Sequence, residues 1–433
     1  MKQIREFPRV VVTRKGAQKV KSGHPWVFEG EVTAVQPAPS DGREAENGDV
    51  VDVVEENGTY LGSGLLSERS KIRVRLVSRN ANDRFDEAFW ARKVEWAWRY
   101  RANVLGSSAL PGCEPDTNCC RVIYSEADGF PGLIVDRYED VLVAQVGTVG
   151  MQRLRPVLYP IIVRTLRDQG QAIRGIYERN DVASRAKEGL DLAKGWYLDD
   201  ESIAPGADER QTRLVARENG IAYDVDFAES QKTGFFLDQK FNRRLVRDIA
   251  RGRRVLDCYS HVGTFGLNAV AGGANFVRCV DVSQPALDLA QANARLNGFE
   301  DRMSFTCADM KDYLPELASD RGRLIEQGGQ FDLIVLDPPA FSKGRESVEH
   351  AQGAYERINY LAMRILPRGG YLATCSCSQH MTTGMLRKAI SQAAEGAGVQ
   401  LRQISQSQQS PDHPILWGVP ETGYLDFFVF QVF

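Results

Sequence analysis

The sequence predicts a multidomain α/β protein whose carboxy-terminal half is an open sheet with helices between its strands. Three observations carry that expectation. At 433 residues the chain is long enough for two or three domains with substantial cores, since domains usually hold about 100 to 200 residues. From about residue 228 onward, apolar runs such as RRVLDC, FVRCVDV and FDLIVLDPP alternate with helical stretches such as PALDLAQANARLNG. Before that point the apolar runs are short, often of period two, and broken by turn residues. Boundaries at 1–80, 81–225 and 226–433 follow from these shifts.

Composition narrows the class. With 43% hydrophobic and 26% charged residues the chain has the make-up of a folded soluble protein, which excludes a disordered tail-like function. A net charge of -3 supplies no global attraction to nucleic acid or to an anionic membrane, so any such affinity has to be local. No stretch approaches the roughly 20 apolar residues of a membrane span, and MKQIREFPRVVVTRKGAQKV lacks a secretory apolar core. A cytoplasmic location is expected. The eight cysteines include no C-x-x-C pair, so reduced thiols are expected and neither a metal site nor a disulfide framework.

The amino-terminal region is divided by charge. Residues 1–28 carry seven Lys/Arg against Glu6 alone, and 69–79 carry five basic residues and no acid, while 29–68 hold ten acids against Arg43. In KIRVRLV, Ile72, Val74 and Leu76 alternate with Lys71, Arg73 and Arg75, the period-two pattern of a strand with one buried and one basic face. If the first and last strands of a small barrel pair, the two basic stretches merge into one patch for nucleic acid; a merely solvated face gives the same pattern. Next, Asn82 or Asp83 is expected to cap a helix running to Gly106, with Trp90, Val94, Trp98 and Leu105 on its core face. Three β-rich runs broken at Asp128-Gly129 and Glu139-Asp140, a helix at about 151–168 and the strand IRGIYER complete a β-β-β-α-β connector.

The carboxy-terminal region carries the chemistry. The strand RRVLDCYS, containing Asp257, Tyr259 and Ser260, opens into a loop with Gly263 and then a helix. Asp281 ends the next strand 24 residues after Asp257, where a carboxylate can accept hydrogen bonds from both ribose hydroxyls of a nucleoside. The turn is not G-x-G-x-x-G, the array a pyrophosphate favours, and it suits the phosphate-free S-adenosylmethionine. Asp309 follows a third strand, placed for an adenine amino group, and Asp337-Pro338-Pro339 ends a fourth. Prolines have no N–H and hold the loop extended, so it offers carbonyls and the Asp to a planar base. Singly, each motif also suits a structural role; their order and spacing resemble the successive motifs of class I S-adenosylmethionine methyltransferases.

Two longer stretches sharpen the resemblance. Gly23 to Phe28 reads Gly-His-Pro-Trp-Val-Phe, with a Gly-rich hairpin expected at Tyr60 to Gly64, and Gln231-Lys232-Thr233-Gly234-Phe235-Phe236-Leu237-Asp238-Gln239 precedes Asn242-Arg243. Both are similar to segments of the PUA-carrying 23S rRNA cytosine-5 methyltransferases. The resemblance implies an amino-terminal PUA barrel that binds RNA, a central α+β domain, and a Rossmann-like methyltransferase domain with a seven-stranded mixed sheet. It places Gly234 and Phe235 at the edge of the cofactor pocket, although Asp238 could equally cap the following helix.

Cys375 and Cys377 lie on the strand GGYLATCSCSQHM, and cytosine-5 transfer needs a thiolate that attacks carbon 6. The family's Ser-Cys-Ser aligns with Ser376-Cys377-Ser378, making Cys377 the expected nucleophile, Cys375 a core residue and Asp337 its catalytic partner. His413 or Glu421, in a loop resembling a family loop, are candidates for the base that removes the carbon 5 proton. The implied partner is large-subunit rRNA, with no DNA or membrane; a homo-oligomer stays open. Transfer to a guanine or adenine nitrogen and a non-catalytic RNA adapter are the competing readings.

Overall fold

The computed structural model describes residues 5–105, 116–230, 233–320, 324, 329–341 and 348–433. The chain divides into two compact units: residues 1–216, 225–235 and 411–422 form one, and 217–224, 236–410 and 423–433 the other. Residues 226–235 and 411–422, expected within the third domain, belong to the first unit.

The first unit contains a six-stranded sheet built from β1 (Arg9–Val12), β2 (Trp26–Phe28), β3 (Val32–Gln36), β4 (Val50–Glu55), β5 (Tyr60–Leu66) and β6 (Ile72–Ser78), in the order β2-β6-β5-β4-β1-β3. Valines 10, 12, 27, 51, 53 and 74 with Leu61, Leu66 and Leu76 fill its core, as period-two alternation requires. The first and last strands do not pair. β1 runs beside β3 and β4, and β6 takes β2 and β5 as neighbours, because pairing follows the buried valine faces. Tyr60 to Gly64 is not a hairpin but strand: a Cβ on Gly64 would lie 2.4 Å from the Arg75 carbonyl oxygen, so only glycine lets β6 approach this closely.

The same unit holds a five-stranded sheet of β7 (Cys119–Tyr124), β8 (Leu133–Tyr138), β9 (Val141–Val146), β10 (Gly175–Asn180) and β11 (Ala193–Trp196), ordered β11-β10-β9-β8-β7. The helices Glu87–Val104 and Val149–Asp168 pack Trp90, Val94, Trp98, Leu158 and Ile162 into the core against it. The first of these helices is capped by Asp86, which accepts from Phe89 N–H at 2.9 Å. Asp83 is spent on Ser78, Asn80 and Arg92, and Asn82 leads only into that turn, so neither caps the helix. Buried polar contacts bring in the distant segments: Asp412 accepts from the Arg121 N–H (3.0 Å) and its carbonyl from Arg101 (3.0 Å), while Thr233 donates to Asp136 (2.5 Å). Strands β12 (Arg213–Glu218) and β13 (Ile221–Asp226) form a two-stranded sheet.

The second unit is an α/β sheet of β14 (Arg254–Cys258), β15 (Phe276–Asp281), β16 (Met303–Cys307), β17 (Leu333–Leu336), β18 (Tyr371–Ser376), β19 (Leu401–Gln408) and β20 (Asp426–Val432). Its order is β16-β15-β14-β17-β18-β20-β19, with β20 antiparallel to both neighbours and the first five strands parallel. The parallel strands, covered on both faces, are near-continuous apolar runs such as LIVL, as their burial demands. The chain leaves β14 first towards β15 and β16, then returns to β17 and β18. That reversal puts a switch point between β14 and β17, where open α/β sheets bind ligands beyond the strand carboxyl ends.

Candidate cofactor and catalytic site

Register brings the strand-end acids to one edge. Asp257 pairs with Cys279 across β14 and β15, and Asp281 with Cys307 across β15 and β16; Asp337 N–H reaches Cys258 O at 3.5 Å. The loop after β14 is strained, with Tyr259 (φ 60°), His261 (φ 49°) and Gly263 (φ 78°) all left-handed. Strain of this kind persists where surrounding structure holds it and is typical of ligand-holding turns. Here the His261 N–H donates to Asp281 Oδ2 at 2.9 Å, the Ser260 N–H to Val280 O at 3.1 Å, and the Ser283 N–H to Asp281 Oδ1 at 2.9 Å. Asp281 is thus oriented by one backbone donor per oxygen, and each oxygen keeps a lone pair for a hydroxyl. The His261 ring packs edge-on against Phe236. The sequence assigns His261 no role; its contribution to Asp281 is a backbone N–H that any residue carries.

Asp257 lies beneath this loop and is fully buried. Gly266 N–H donates to its Oδ2 at 2.8 Å, whereas its buried Oδ1 has no hydrogen-bond partner. A Cβ on Gly266 would sit 2.7 Å from Cys279 Sγ, so glycine is needed for the helix Thr264–Ala271 to come this close. Burial raises the Asp257 carboxyl to about 8, with the Gly266 N–H opposing and Asp337 and Asp281 adding to the rise. An orphaned carboxyl oxygen among like charges suits a ligand that is cationic and rich in hydroxyl and amino groups. The donor set therefore fits S-adenosylmethionine, a sulfonium and an ammonium on a nucleoside, and opposes a pyrophosphate. Asp309 lies two residues past the end of β16 and caps the helix Met310–Ser319, taking the Lys311 N–H at 2.9 Å.

On the other side of the switch point, two thiols at the end of β18 meet the Asp-Pro-Pro turn. Leu336 pairs with Thr374, which sets Cys375 beside Asp337: its Sγ donates to Asp337 Oδ1 at 2.8 Å. Gln239 Nε2 also donates to that oxygen at 3.2 Å. Desolvation in these packed surroundings raises the Asp337 carboxyl above the usual range, opposed by Cys375 and by the Arg243 guanidinium. Burial pushes the Cys375 thiol well up and keeps it protonated. Cys377, one residue past the strand, is partly exposed, with its Sγ 3.7 Å from Pro338 O. Cys375 is the expected core residue, fully buried, and in addition a hydrogen-bond partner of Asp337. Gln239 closes the Leu-Asp-Gln motif, but the sequence gives it no role of its own. Pro338 is buried and Pro339 exposed.

Gly234 and Phe235 belong to the first unit, where a Cβ on Gly234 would lie 2.6 Å from the Tyr138 ring and Tyr138 OH donates to Phe235 O at 3.1 Å. Gln231 and Lys232 of the same motif lie outside the described residues. Asp238 does not cap the next helix; it accepts from Tyr424 OH at 2.6 Å. His413 is buried in the first unit with Nδ1 3.1 Å from Asp412, and Glu421 lies 3.8 Å from His24. The β6 basic face is largely consumed. Arg75 is buried against Glu188 (3.0 Å) and Glu126 (3.8 Å), and Arg73 pairs with Glu29 (2.6 Å), because the adjoining acidic elements supply partners that charge counting along one strand cannot see. The seven described cysteines are thiols, not disulfides. Among the described residues no cluster of three or more His, Cys, Asp or Glu could hold a metal ion.

Comparison with known proteins agrees with this geometry. Residues 171–415 match the family described as S-adenosylmethionine-dependent methyltransferase, and residues 10–79 match a PUA-like domain. Ribosomal RNA large subunit methyltransferase I of Alteromonas mediterranea is 36% identical over 425 residues, and that of Klebsiella pneumoniae 34% over 427, each comparison covering 98% of both chains. A solved structure from Streptococcus mutans superposes with a TM-score of 0.73 at 21% identity. It covers 98% of this chain and 99% of that one, and shows the shared fold. With its strand order, its strand-end acids and identity at this level along nearly its whole length, the chain belongs to the S-adenosylmethionine-dependent methyltransferases, in the ribosomal RNA large subunit methyltransferase I family.

Proposed function

We propose that the chain methylates carbon 5 of a cytosine in large-subunit ribosomal RNA, with Cys377 as the attacking thiolate. The observation that carries this reading is the contrast between two neighbouring thiols. Cys375 is buried and donates to Asp337, while Cys377 is partly exposed beside the Pro338 carbonyl at the open end of the same turn. The names of the full-length relatives supply the RNA class.

S-adenosylmethionine, when bound, supplies an electrophilic methyl group. Asp281 would hold the ribose hydroxyls, Asp309 the adenine amino group, and the Tyr259, Ser260 and Gly263 loop above Asp257 would enclose the rest. Pro338 and Pro339 present backbone carbonyls to the base, which has to be unpaired for its carbon 6 to be reached. The Cys377 thiolate forms a bond to carbon 6, and the displaced ring electron pair makes carbon 5 nucleophilic. The Asp337 carboxyl relieves the ring charge by sharing a proton with nitrogen 3 or by accepting from the amino group. After methylation the carbon 5 proton passes to solvent, its bonding pair re-forms the 5,6 double bond, and the sulfur–carbon pair leaves on Cys377 as the thiolate. Arg73 and Arg75, buried or paired, leave phosphate contact to Arg79, an exposed guanidinium that donates to His24 O and has no carboxylate partner among the described residues. We place this activity in the cytoplasm; no helix among the described residues is long and apolar enough to cross a membrane.

Cys377→Ala is expected to abolish methylation while cofactor affinity and folding persist, and RNA carrying 5-fluorocytosine should trap a covalent complex through Cys377. Full activity in the Cys377→Ala protein would overturn cytosine-5 transfer and favour transfer to a base nitrogen, which needs no thiolate.

A further inference from the structure

We infer that Gln239 and Cys375 are positioning residues that clamp one oxygen of Asp337 and thereby aim the other at the substrate base. The inference rests on the proposed role of Asp337 at that base.

Both donors converge on Oδ1, Cys375 Sγ at 2.8 Å and Gln239 Nε2 at 3.2 Å, and no hydrogen bond among the described residues uses Oδ2. Asp337 keeps part of its surface exposed. The direction of donation is set by the groups behind it. Ser407 Oγ donates to Asn242 Oδ1 (2.7 Å), and Asn242 Nδ2 donates to Gln239 Oε1 (2.6 Å). With its oxygen occupied, the Gln239 amide turns its NH2 towards Asp337 and towards Cys375 Sγ (3.5 Å). Gln239, Asn242 and Cys375 are all buried, so none can exchange its partner for water. A relay of donors ending on one carboxylate oxygen in a low-dielectric site restrains the rotation of that carboxyl, and rotational looseness of about 1 Å is enough to cost a reacting group much of its rate. The fully protonated thiol of Cys375 is suited to this work as a donor, and its burial separates it from the nucleophile's task given to Cys377.

The test uses the full chain, radiolabelled S-adenosylmethionine and large-subunit rRNA from cells lacking this activity. Cys375→Ala and Gln239→Met should each lower kcat roughly ten- to a hundredfold, the usual consequence of losing a hydrogen bond to a charged group, with KM for RNA and cofactor Kd within about twofold. Cys375→Ser keeps a donor and should recover most of the rate. Wild-type kcat in both Cys375→Ala and Gln239→Met, with only a lower melting temperature, would overturn the positioning role and return both residues to the core. If Cys375→Ala fails to bind cofactor for want of folding, Gln239→Met alone decides by the same comparison. Asp337→Asn separates the two levels: wild-type activity there refutes the proposed role of Asp337 itself, whereas its inactivity alongside active Gln239→Met refutes only the clamp.

Discussion

Arg75→Ala should damage the fold of the first unit and leave its electrostatic attraction to RNA almost intact. Arg75 is 9% exposed; its Nη2 lies 3.0 Å from Glu188 Oε1 and its Nε 3.8 Å from Glu126 Oε1. The Glu188 side chain is 3% exposed, and beyond Arg75 its carboxylate has the Ser67 hydroxyl at 2.6 Å. Removing the guanidinium strands a buried carboxylate on one neutral donor, a loss that typically costs about 3 to 5 kcal/mol. At about 2 to 4 °C per kcal/mol for a unit of this size, the melting temperature should fall by roughly 6 to 20 °C. The double variant Arg75→Met, Glu188→Gln removes both charges and keeps an acceptor for Ser67, so most of that loss should be recovered. Melting curves followed by circular dichroism measure the first effect, and filter binding of RNA across a salt series the second. The slope of log affinity against log salt should be unchanged in the double variant, because the Arg75 charge is already neutralised inside the protein. A wild-type melting temperature for Arg75→Ala, together with a slope reduced by about one, would refute the reasoning and restore Arg75 as a phosphate ligand.

The exposed Arg79 should behave in the opposite way: Arg79→Ala is expected to lower that slope by about one with little change in melting temperature, and an unaltered slope counts against phosphate contact. Asp281→Ala should weaken S-adenosylmethionine binding roughly ten- to a hundredfold in calorimetry, and unchanged affinity in a folded variant would remove the ribose assignment. Asp257 gives a pH signature. Its folded-state carboxyl titrates at about 8, above its unfolded value, so the folded site prefers the protonated form and stability falls as pH rises towards 8. Each pH unit inside that window costs about 1.4 kcal/mol, so urea denaturation should show the cofactor-free wild type losing roughly 3 kcal/mol more than Asp257→Asn between pH 5 and pH 7. The same loss in both proteins would contradict the raised carboxyl.

The strand-end chemistry was legible in the chain because it is local. A parallel strand covered on both faces has to be a short apolar run, and Asp257, Asp281 and Asp337 stand at or just beyond the ends of such runs. Once the sheet forms, shared strand direction carries those carboxyls to one edge. Asp309 was legible only in part, since the residue after β16 that looks like a strand-end acid is also the first good helix cap. Competition between nearby caps likewise hid Asp86, because Asp83 is drawn into a turn by Ser78 and Asn80.

Choices among distant partners were settled by packing alone. Alternation along β6 correctly marked a strand, but whether Arg75 meets solvent or a carboxylate depended on where Glu188 and Glu126 came to rest. The neighbours of β1 were set by buried valine faces, and the membership of 411–422 in the first unit by Asp412 meeting Arg121 and Arg101. Similarly, strand periodicity alone gives two thiols two residues apart the same face, and from the sequence only the family resemblance separates Cys377 from Cys375. The pairing of Leu336 with Thr374 seats Cys375 on Asp337, while the end of β18 leaves Cys377 beside Pro338. Periodicity and spacing act through the chain's own geometry and so determine elements and strand ends; burial and charge compensation act between segments far apart, and only the folded structure chooses among the partners the chain offers.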